Sequence, residues 1–261
     1  MKNYTIDFKK ISKSEEINMR KIVSKYKGFG EIKDENLNKI SNKLNLDKKL
    51  VLSFRSQYLK NKVIRNSYII KKDIIKISSE YSKNNILDLS LKYDVSPMTI
   101  FRSVIKHKYP DIVSLKKSIH LLNDYDRNQL NLAEKNDIVA PLNQDNSKKK
   151  ADEYEEKIGK FLKKKNISFK TEVETAEEQK RQYGIVKATP DFLLDKPIII
   201  NNKIVNWIEV KNFYGTNINF LFNKIRKQTE KYYKKWGSGC LVYRYGVYQE
   251  LKLKHVCIIC F

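Results

Sequence analysis

Five polar residues in the second half of the chain have the types and spacing needed to hydrolyse a phosphodiester. Trp207-Ile-Glu-Val-Lys211 reads as a strand, and the two-residue period of a strand puts Glu209 and Lys211 on one face with Ile208 and Val210 on the other. Pro190-Asp191 lies in the preceding strand, at a separation that a hairpin closes. Asp191, Glu209 and a neighbouring backbone carbonyl, that of Val210, would then offer hard oxygen ligands to Mg²⁺ or Mn²⁺, ions that take few protein carboxylates and keep several waters. Such an ion lowers the pKa of a bound water and neutralises charge building on a phosphorane-like transition state. Lys211, on the same face as Glu209, can orient the attacking water or stabilise that charge. Glu155 adds a carboxylate from an earlier helix, as an auxiliary ligand or a base behind the ligands. Gln228 adds a positioning amide from a later helix.

These residues need elements to hold them. Residues 152–165 pattern as an amphipathic helix with Glu155, Ile158 and Leu162 on one face and Phe161 beside them. Strands are expected at Ile167–Glu174, Ala188–Leu194 and Ile204–Asn212, with a turn at Asn201-Asn202. A second helix is expected over 217–235 and a further strand over 239–246. On that second helix Ile218, Leu221, Ile225, Gln228 and Tyr232 share a stripe, so an amide interrupts a face that should pack on the sheet. A buried amide needs partners, and a place beside the reacting phosphate would supply them. Lys224, Lys227, Lys231 and Lys235 form a separate basic stripe suited to a phosphate backbone. Glu-x-Lys alone carries little in a chain so rich in both residues, and a solvated Glu–Lys pair is the alternative. Glu172 and Glu174 stand where they could approach the carboxylates from the first strand, and solvent is the expected environment of both.

The first half reads as helical, with long Leu/Ile periodicity. In Ile86–Arg102 a helix carrying Ile86, Leu89 and Tyr93 is followed by a short turn with Val95, and Ser96 and Pro97 then take the cap and first-turn positions of a new helix. That is the pattern of a helix-turn-helix, whose second helix would present Thr99, Arg102 and Lys106 to phosphates or base edges. A fainter copy lies 49 residues earlier, with Leu37, Ile40, Leu44, Leu46, Asp47 and Val51 at the matching positions and Arg55 on its outer helix. The polar run Asn143–Lys150 reads as a linker. The expected organisation is therefore a helical DNA-binding region over 1–142, a linker over 143–150 and a catalytic domain over 151–261.

Composition narrows the class. The 261 residues include 53 Lys+Arg against 30 Asp+Glu, a net charge of +23, divided as +15 for 1–150 and +8 beyond. So large an excess points to an anionic partner, nucleic acid first and a membrane surface second. Charge alone would suit RNA as well, and the helix-turn-helix pattern turns the expectation to DNA. No apolar stretch approaches the roughly 20 residues that span a bilayer. The opening MKNYTIDFKK carries no apolar signal segment, and three late cysteines suggest a reducing compartment, so an intracellular protein, nuclear or cytoplasmic, is expected. His255, Cys257 and Cys260 supply at most three zinc ligands where a structural site takes four, and they read as part of a terminal strand, Leu251–Phe261. Neither Gly28-Phe-Gly30 nor Gly237-Ser-Gly239 is followed by a Lys-Ser/Thr pair, so ATP dependence is not expected.

Glu155, Asp191 and the Glu-x-Lys at 209–211 resemble the signature of the PD-(D/E)XK nuclease superfamily, and the helix–strand–strand–strand–helix–strand order is similar to its core. More narrowly, Thr189-Pro-Asp191, Trp207–Gly215 and Gln228–Gly246 resemble the TPD-motif, or codanin-interacting nuclease, family, which is related to archaeal Holliday-junction resolvases. The resemblance implies an α+β two-domain fold, with an all-helical helix-turn-helix module ahead of a restriction-endonuclease-like α/β core with a mixed sheet. It implies a divalent-metal-dependent DNA endonuclease acting on branched or junction DNA, and a protein partner of codanin type. Symmetric cutting of a junction would require a homodimer. The alternative is a catalytically silent DNA-binding scaffold that keeps the fold.

Overall fold

The computed structural model describes residues 1–143 and 145–261. Gln144, inside the expected linker, lies outside the described residues. The chain forms two compact units, one built from Met1–Ile17 with Asp145–Phe261 and the other from the stretch between Asn18 and Asn143. Its secondary structure is mixed α and β, with strands, among the described residues, confined to the first of these units.

In chain order the elements are β1 (Asn3–Tyr4), β2 (Lys10–Ile11), α1 (Lys13–Val23), α2 (Asp34–Leu44), α3 (Lys48–Tyr81), α4 (Ile86–Tyr93), α5 (Pro97–Lys108) and α6 (Asp124–Lys135). They continue with α7 (Asp145–Lys164), β3 (Phe169–Thr171), α8 (Glu172–Tyr183), β4 (Phe192–Ile200), β5 (Lys203–Lys211), α9 (Asn219–Trp236), β6 (Gly239–Tyr243), β7 (Val247–Tyr248) and β8 (Val256–Cys260). The main sheet runs β1-β4-β5-β6-β8, with β3 also paired to β4. The β4–β5 pair is an antiparallel hairpin turning at Asn201 and Asn202, both at positive φ, whereas β5–β6 and β6–β8 are parallel. Pro197 sits where the β4–β5 register shifts, between Leu193 and Ile198, a place where a missing N–H costs the ladder nothing.

Helix α7 buries Tyr154, Ile158 and Leu162 in a core with Ile208, Val242 and Ile259. The opposite face of β5 carries Trp207 and Glu209, and there α9 packs, its Tyr232 ring edge-on to Trp207 at 5.1 Å. The alternation expected along β5 is therefore what places Glu209 on the α9 side. Trp207 is fully buried, donates from Nε1 to the Gly237 carbonyl at 2.8 Å, and lies flat against Gly239, where an added Cβ would come within 2.1 Å of the ring. Gly239→Ala is accordingly expected to cost about 3 kcal/mol or more, read from the denaturant midpoint, because Trp207 has no room to move in a packed core. A loss below about 0.5 kcal/mol would show that the indole is not held there.

Several expected boundaries are corrected. Met1–Ile17 does not belong with the helical region. Asn3 and Tyr4 pair in parallel with Ile199 and Ile200, and Asn201 exchanges two hydrogen bonds with the backbone of Ile6. The reason is an open edge: β3 covers only the first residues of β4, leaving its far half to be paired by the N-terminus. The expected linker is helical from Asp145 on, since its Lys run is a good helix former and extends α7. The strand expected at Ile167–Glu174 stops at Thr171. Thr171 caps α8, accepting from Glu174 N at 3.3 Å, while the Glu174 carboxylate takes the Thr171 N–H at 2.7 Å.

In the helical unit, α4 and α5 are joined by Asp94–Ser96, with Asp94 left-handed (φ 53°), Val95 fully buried and Ser96 capping α5. Helices α2 and α3 repeat this turn. Asn45 is left-handed (φ 51°), Asp47 caps α3, and Ser41 Oγ donates to Leu46 O as Ser90 Oγ does to Val95 O. The 49-residue repeat is thus a repeat of backbone conformation as well as of residue type. Asp126, with no exposed surface, ties the unit together by accepting from Tyr81, Tyr109 and Lys108 at 3.0, 2.8 and 2.7 Å.

Candidate active site

The β4–β5 hairpin brings Asp191 beside the end of β5. Asp191 immediately precedes β4, and Phe192 is the register partner of Ile208, so a continued ladder would set the Pro190 carbonyl opposite the Val210 N–H, and the Asp191 carboxylate stands in for that acceptor. The Val210 N–H donates to Asp191 Oδ2 at 2.6 Å. In a strand the N–H and C=O of one residue point to the same side, which puts the Val210 carbonyl on the Asp191 side as well.

Around Glu209 the polar groups interlock. Lys211 Nζ donates to Glu209 Oε1 at 2.6 Å and to Gln228 Oε1 at 3.1 Å. Gln228 Nε2 donates to Glu209 Oε1 at 2.8 Å and to the Tyr232 hydroxyl at 2.9 Å, and that hydroxyl donates to Thr189 O at 3.0 Å. The amide that interrupts the apolar stripe of α9 therefore finds its partners at the end of β5. Glu209 is 4% exposed, and its second oxygen, Oε2, is buried with no partner. A buried carboxylate oxygen left without a donor is costly and suits a cation.

The electrostatics agree. Burial, then the charge of Glu209 and that of Glu155, push the Asp191 carboxyl up to about 8, against the opposing Val210 N–H and Lys211. Burial first, then Glu172, Asp152 and Glu209, raise Glu155. Asp191 and Glu155 thus lie in the field of Glu209, and each of these two resists ionising beside the other acids. The sign fixes a prediction for the metal-free protein. The Asp191 carboxyl ionises near 3.8 when unfolded and near 8 when folded, so it subtracts stability progressively as pH rises from about 4 to about 8. In EDTA, Asp191→Asn should gain on the wild type across that window in urea unfolding. A difference independent of pH would show that the carboxyl is not held protonated.

Asp191, Glu209 and the Val210 carbonyl fit a hard divalent cation: two carboxylates that repel, one orphaned oxygen and one carbonyl on the same side. Among the described residues no three His, Cys, Asp or Glu side chains gather closely enough to hold an ion alone. A set of two carboxylates and a carbonyl is the number that leaves Mg²⁺ its waters.

The other residues singled out in the sequence divide. Glu155 lies at the edge of the buried stripe of α7 rather than at its centre, which Tyr154 holds. Glu172, expected to be merely solvent-facing, is exposed yet accepts from Thr189 Oγ1 at 3.2 Å and acts on Glu155. The Thr-x-x-Glu capping box at Thr171 would have placed it. Glu174 is spent on that cap. Lys224, Lys227 and Lys231 are exposed along α9, as the stripe predicts. On α5, Lys106 is exposed, Thr99 shares a hydrogen bond with Ser96 at 2.7 Å, and Arg102 donates to Pro141 O at 3.2 Å. Arg55 is the clear correction. It is 2% exposed and faces inward, because it continues the buried Val51–Leu59 stripe of α3. Cys257 is buried in β8, and the His255 ring stacks on Tyr233 at 4.0 Å.

The fold and site define an α+β protein whose mixed sheet gathers carboxylates, a lysine and a glutamine at the end of one central strand. The family described as a protein of unknown function with the TPD sequence motif matches residues 123–260, slightly more than half of the chain, and the chain belongs to that family. Thr189-Pro190-Asp191 is the motif as it stands here. An uncharacterized protein of Acanthamoeba polyphaga mimivirus is 35% identical over 103 residues, 38% of this chain and 36% of the relative. CDAN1-interacting nuclease 1 of Mus musculus is 35% identical over 99 residues, 38% of this chain and 33% of its own length. The Xenopus tropicalis protein of that name is 28% identical over 178 residues, 64% and 56%. The chain thus spans about a third of the length of the first two relatives, and somewhat over half of the third. No solved structure matches. Among the described residues, no helix is long and apolar enough to cross a membrane.

Proposed function

We propose that the chain is a divalent-metal-dependent DNA endonuclease of the PD-(D/E)XK type. The observation that carries this reading is the gathering of Asp191, Glu209, Lys211 and Gln228 at the end of β5, with Lys211 and Gln228 bonded to Glu209 Oε1 and Glu209 Oε2 left without a partner. Asp191, Glu209 and the Val210 carbonyl would hold Mg²⁺ or Mn²⁺, which when bound acidifies a water and offsets charge on the phosphoryl oxygens. Lys211 sits with its ammonium between Glu209 and Gln228, where it stabilises charge developing on the phosphate. Gln228 fixes both neighbours by donating to Glu209 and accepting from Lys211. Glu155, protonated more readily than an ordinary carboxylate, is suited to hold or pass a proton behind the ligands.

The exposed lysines of α9 would track the substrate backbone, and α5, with Lys106 outward, would meet duplex DNA. The names of the nuclease relatives support both the activity and a codanin-type partner. Branched DNA is the substrate class, which a homodimer would cut symmetrically. Incubation in Mg²⁺ with a covalently closed circular duplex whose inverted repeat is extruded as a cruciform tests the reaction type. Nicking of a circle, which has no ends, is expected of an endonuclease; degradation confined to linear DNA would rule it out. The rival reading, a silent DNA-binding scaffold, shares every basic surface and predicts binding without nicking.

A further inference from the structure

Helix α3 carries an arginine where its apolar stripe should continue. Val51, Phe54 and Leu59 are buried, and Arg55 stands among them at 2% exposure. A guanidinium stays charged in a protein, and burial here works against that charge. Nη2 donates to the Gly28 carbonyl at 3.3 Å, but Nε and Nη1 are buried without a partner. Buried charges are ordinarily paired, because leaving one alone costs far more than a missing neutral hydrogen bond.

Arg55 lines a pocket of about 350 Å³. Lys27 and Lys33, both exposed, stand in the same wall, with Glu31 as its one acid, so cations outnumber anions three to one. Helix α2 opens at Lys33 with no side-chain cap, leaving first-turn N–H groups for an anion. Leu87, Leu91 and Pro97 add an apolar wall, and the volume is at the lower end of that of small-molecule sites. Three cations favour a dianion over a single carboxylate. A half-open pocket of this size admits a terminal phosphate, whereas a phosphodiester inside a duplex is flanked by sugars on both sides.

We propose that this pocket binds a phosphate monoester of nucleotide size, with Arg55 as its buried partner. The source is either a free nucleotide or the 5′-phosphorylated end of a DNA strand. The inference is independent of the nuclease reading, and its test is run in EDTA so that the carboxylate site takes no part.

Calorimetric melting of the full chain with inorganic phosphate, and then with a nucleoside 5′-monophosphate, should raise the melting temperature by about 5–10 °C at about 100-fold above Kd. Arg55→Met should lose that shift and, without anion, melt no lower than the wild type, since an unpaired buried charge is replaced by an apolar chain of similar length. If Arg55→Met does not fold, the exposed double variant Lys27→Gln/Lys33→Gln should weaken binding at least fivefold. Tighter binding of a 5′-phosphorylated oligonucleotide than of its 5′-hydroxyl form, lost in Arg55→Met, assigns the pocket to DNA ends; nucleotide binding without that preference assigns it to free nucleotide. No shift in the wild type with any of these probes, or an equal shift in Arg55→Met, would overturn the proposal.

Discussion

Asp191→Asn should cut DNA at least about 10³-fold more slowly than the wild type while binding it as tightly. The substitution is nearly isosteric, and an Asn oxygen can still accept the Val210 N–H that Asp191 Oδ2 takes at 2.6 Å, so the β4–β5 hairpin keeps its shape. What it removes is one of two carboxylate charges facing the proposed ion. The remaining set, Glu209 and a carbonyl, carries too little charge to hold a divalent cation against water. Isothermal titration with Mn²⁺ should show the affinity falling with the cleavage rate. The DNA binding proposed for the exposed lysines of α9 should not change, because among the described residues no bond joins them to Asp191. Retention of cleavage within tenfold of the wild type would remove Asp191 from the reaction.

Lys211→Met should lose about 10²–10³-fold in cleavage rate while still binding Mn²⁺. Its ammonium is the one cation bonded to Glu209 among the described residues, and both side chains are nearly shut off from solvent, at 13% and 6% exposure. Removing it leaves a buried carboxylate uncompensated, a change that typically costs about 3–5 kcal/mol. The metal-free variant should therefore unfold at lower urea than the wild type, and Mn²⁺ should restore much of the difference by binding only the folded state. That combination separates a group acting on the transition state from one that merely holds the strand. A variant that is slow and also fails to bind metal would place Lys211 in the scaffold instead.

How far the site could be read from the chain depends on how local each signal is. The alternation of Trp207–Lys211 is a property of five consecutive residues, and it holds: Trp207 and Glu209 face α9 while Ile208 enters the α7 core. The Ser96 cap and the buried Val95 are equally local. The pairing of Asn3–Tyr4 with β4 joins residues almost 200 positions apart through backbone groups, which leave no mark on side-chain pattern. Helix α8 was announced by a capping box at Thr171 and Glu174, but a short apolar alternation just before it suggested a longer strand. Arg55 was also legible, since Val51, Arg55 and Leu59 follow one another at four-residue spacing. The match to the second helix of the later repeat points Arg55 outward, whereas its own four-residue spacing sets it on the inward stripe. The contact of Glu172 with Thr189 Oγ1 and the bond from the Tyr232 hydroxyl to Thr189 O cross between elements and are revealed only by the fold, whereas Gln228 and Tyr232 are neighbours at four-residue spacing on one helix.

The measurement closest to the central claim is single-turnover cleavage of labelled linear, flapped and four-way-junction DNA by the full chain in Mg²⁺, in Mn²⁺ and in EDTA. Asp191→Asn is run beside it, and DNA binding is recorded for both proteins. The carboxylate site predicts metal-dependent cutting by the wild type, none in EDTA, and loss of cutting with binding intact in the variant. Equal binding by both proteins with no cutting in either metal would contradict it and leave a DNA-binding scaffold in its place.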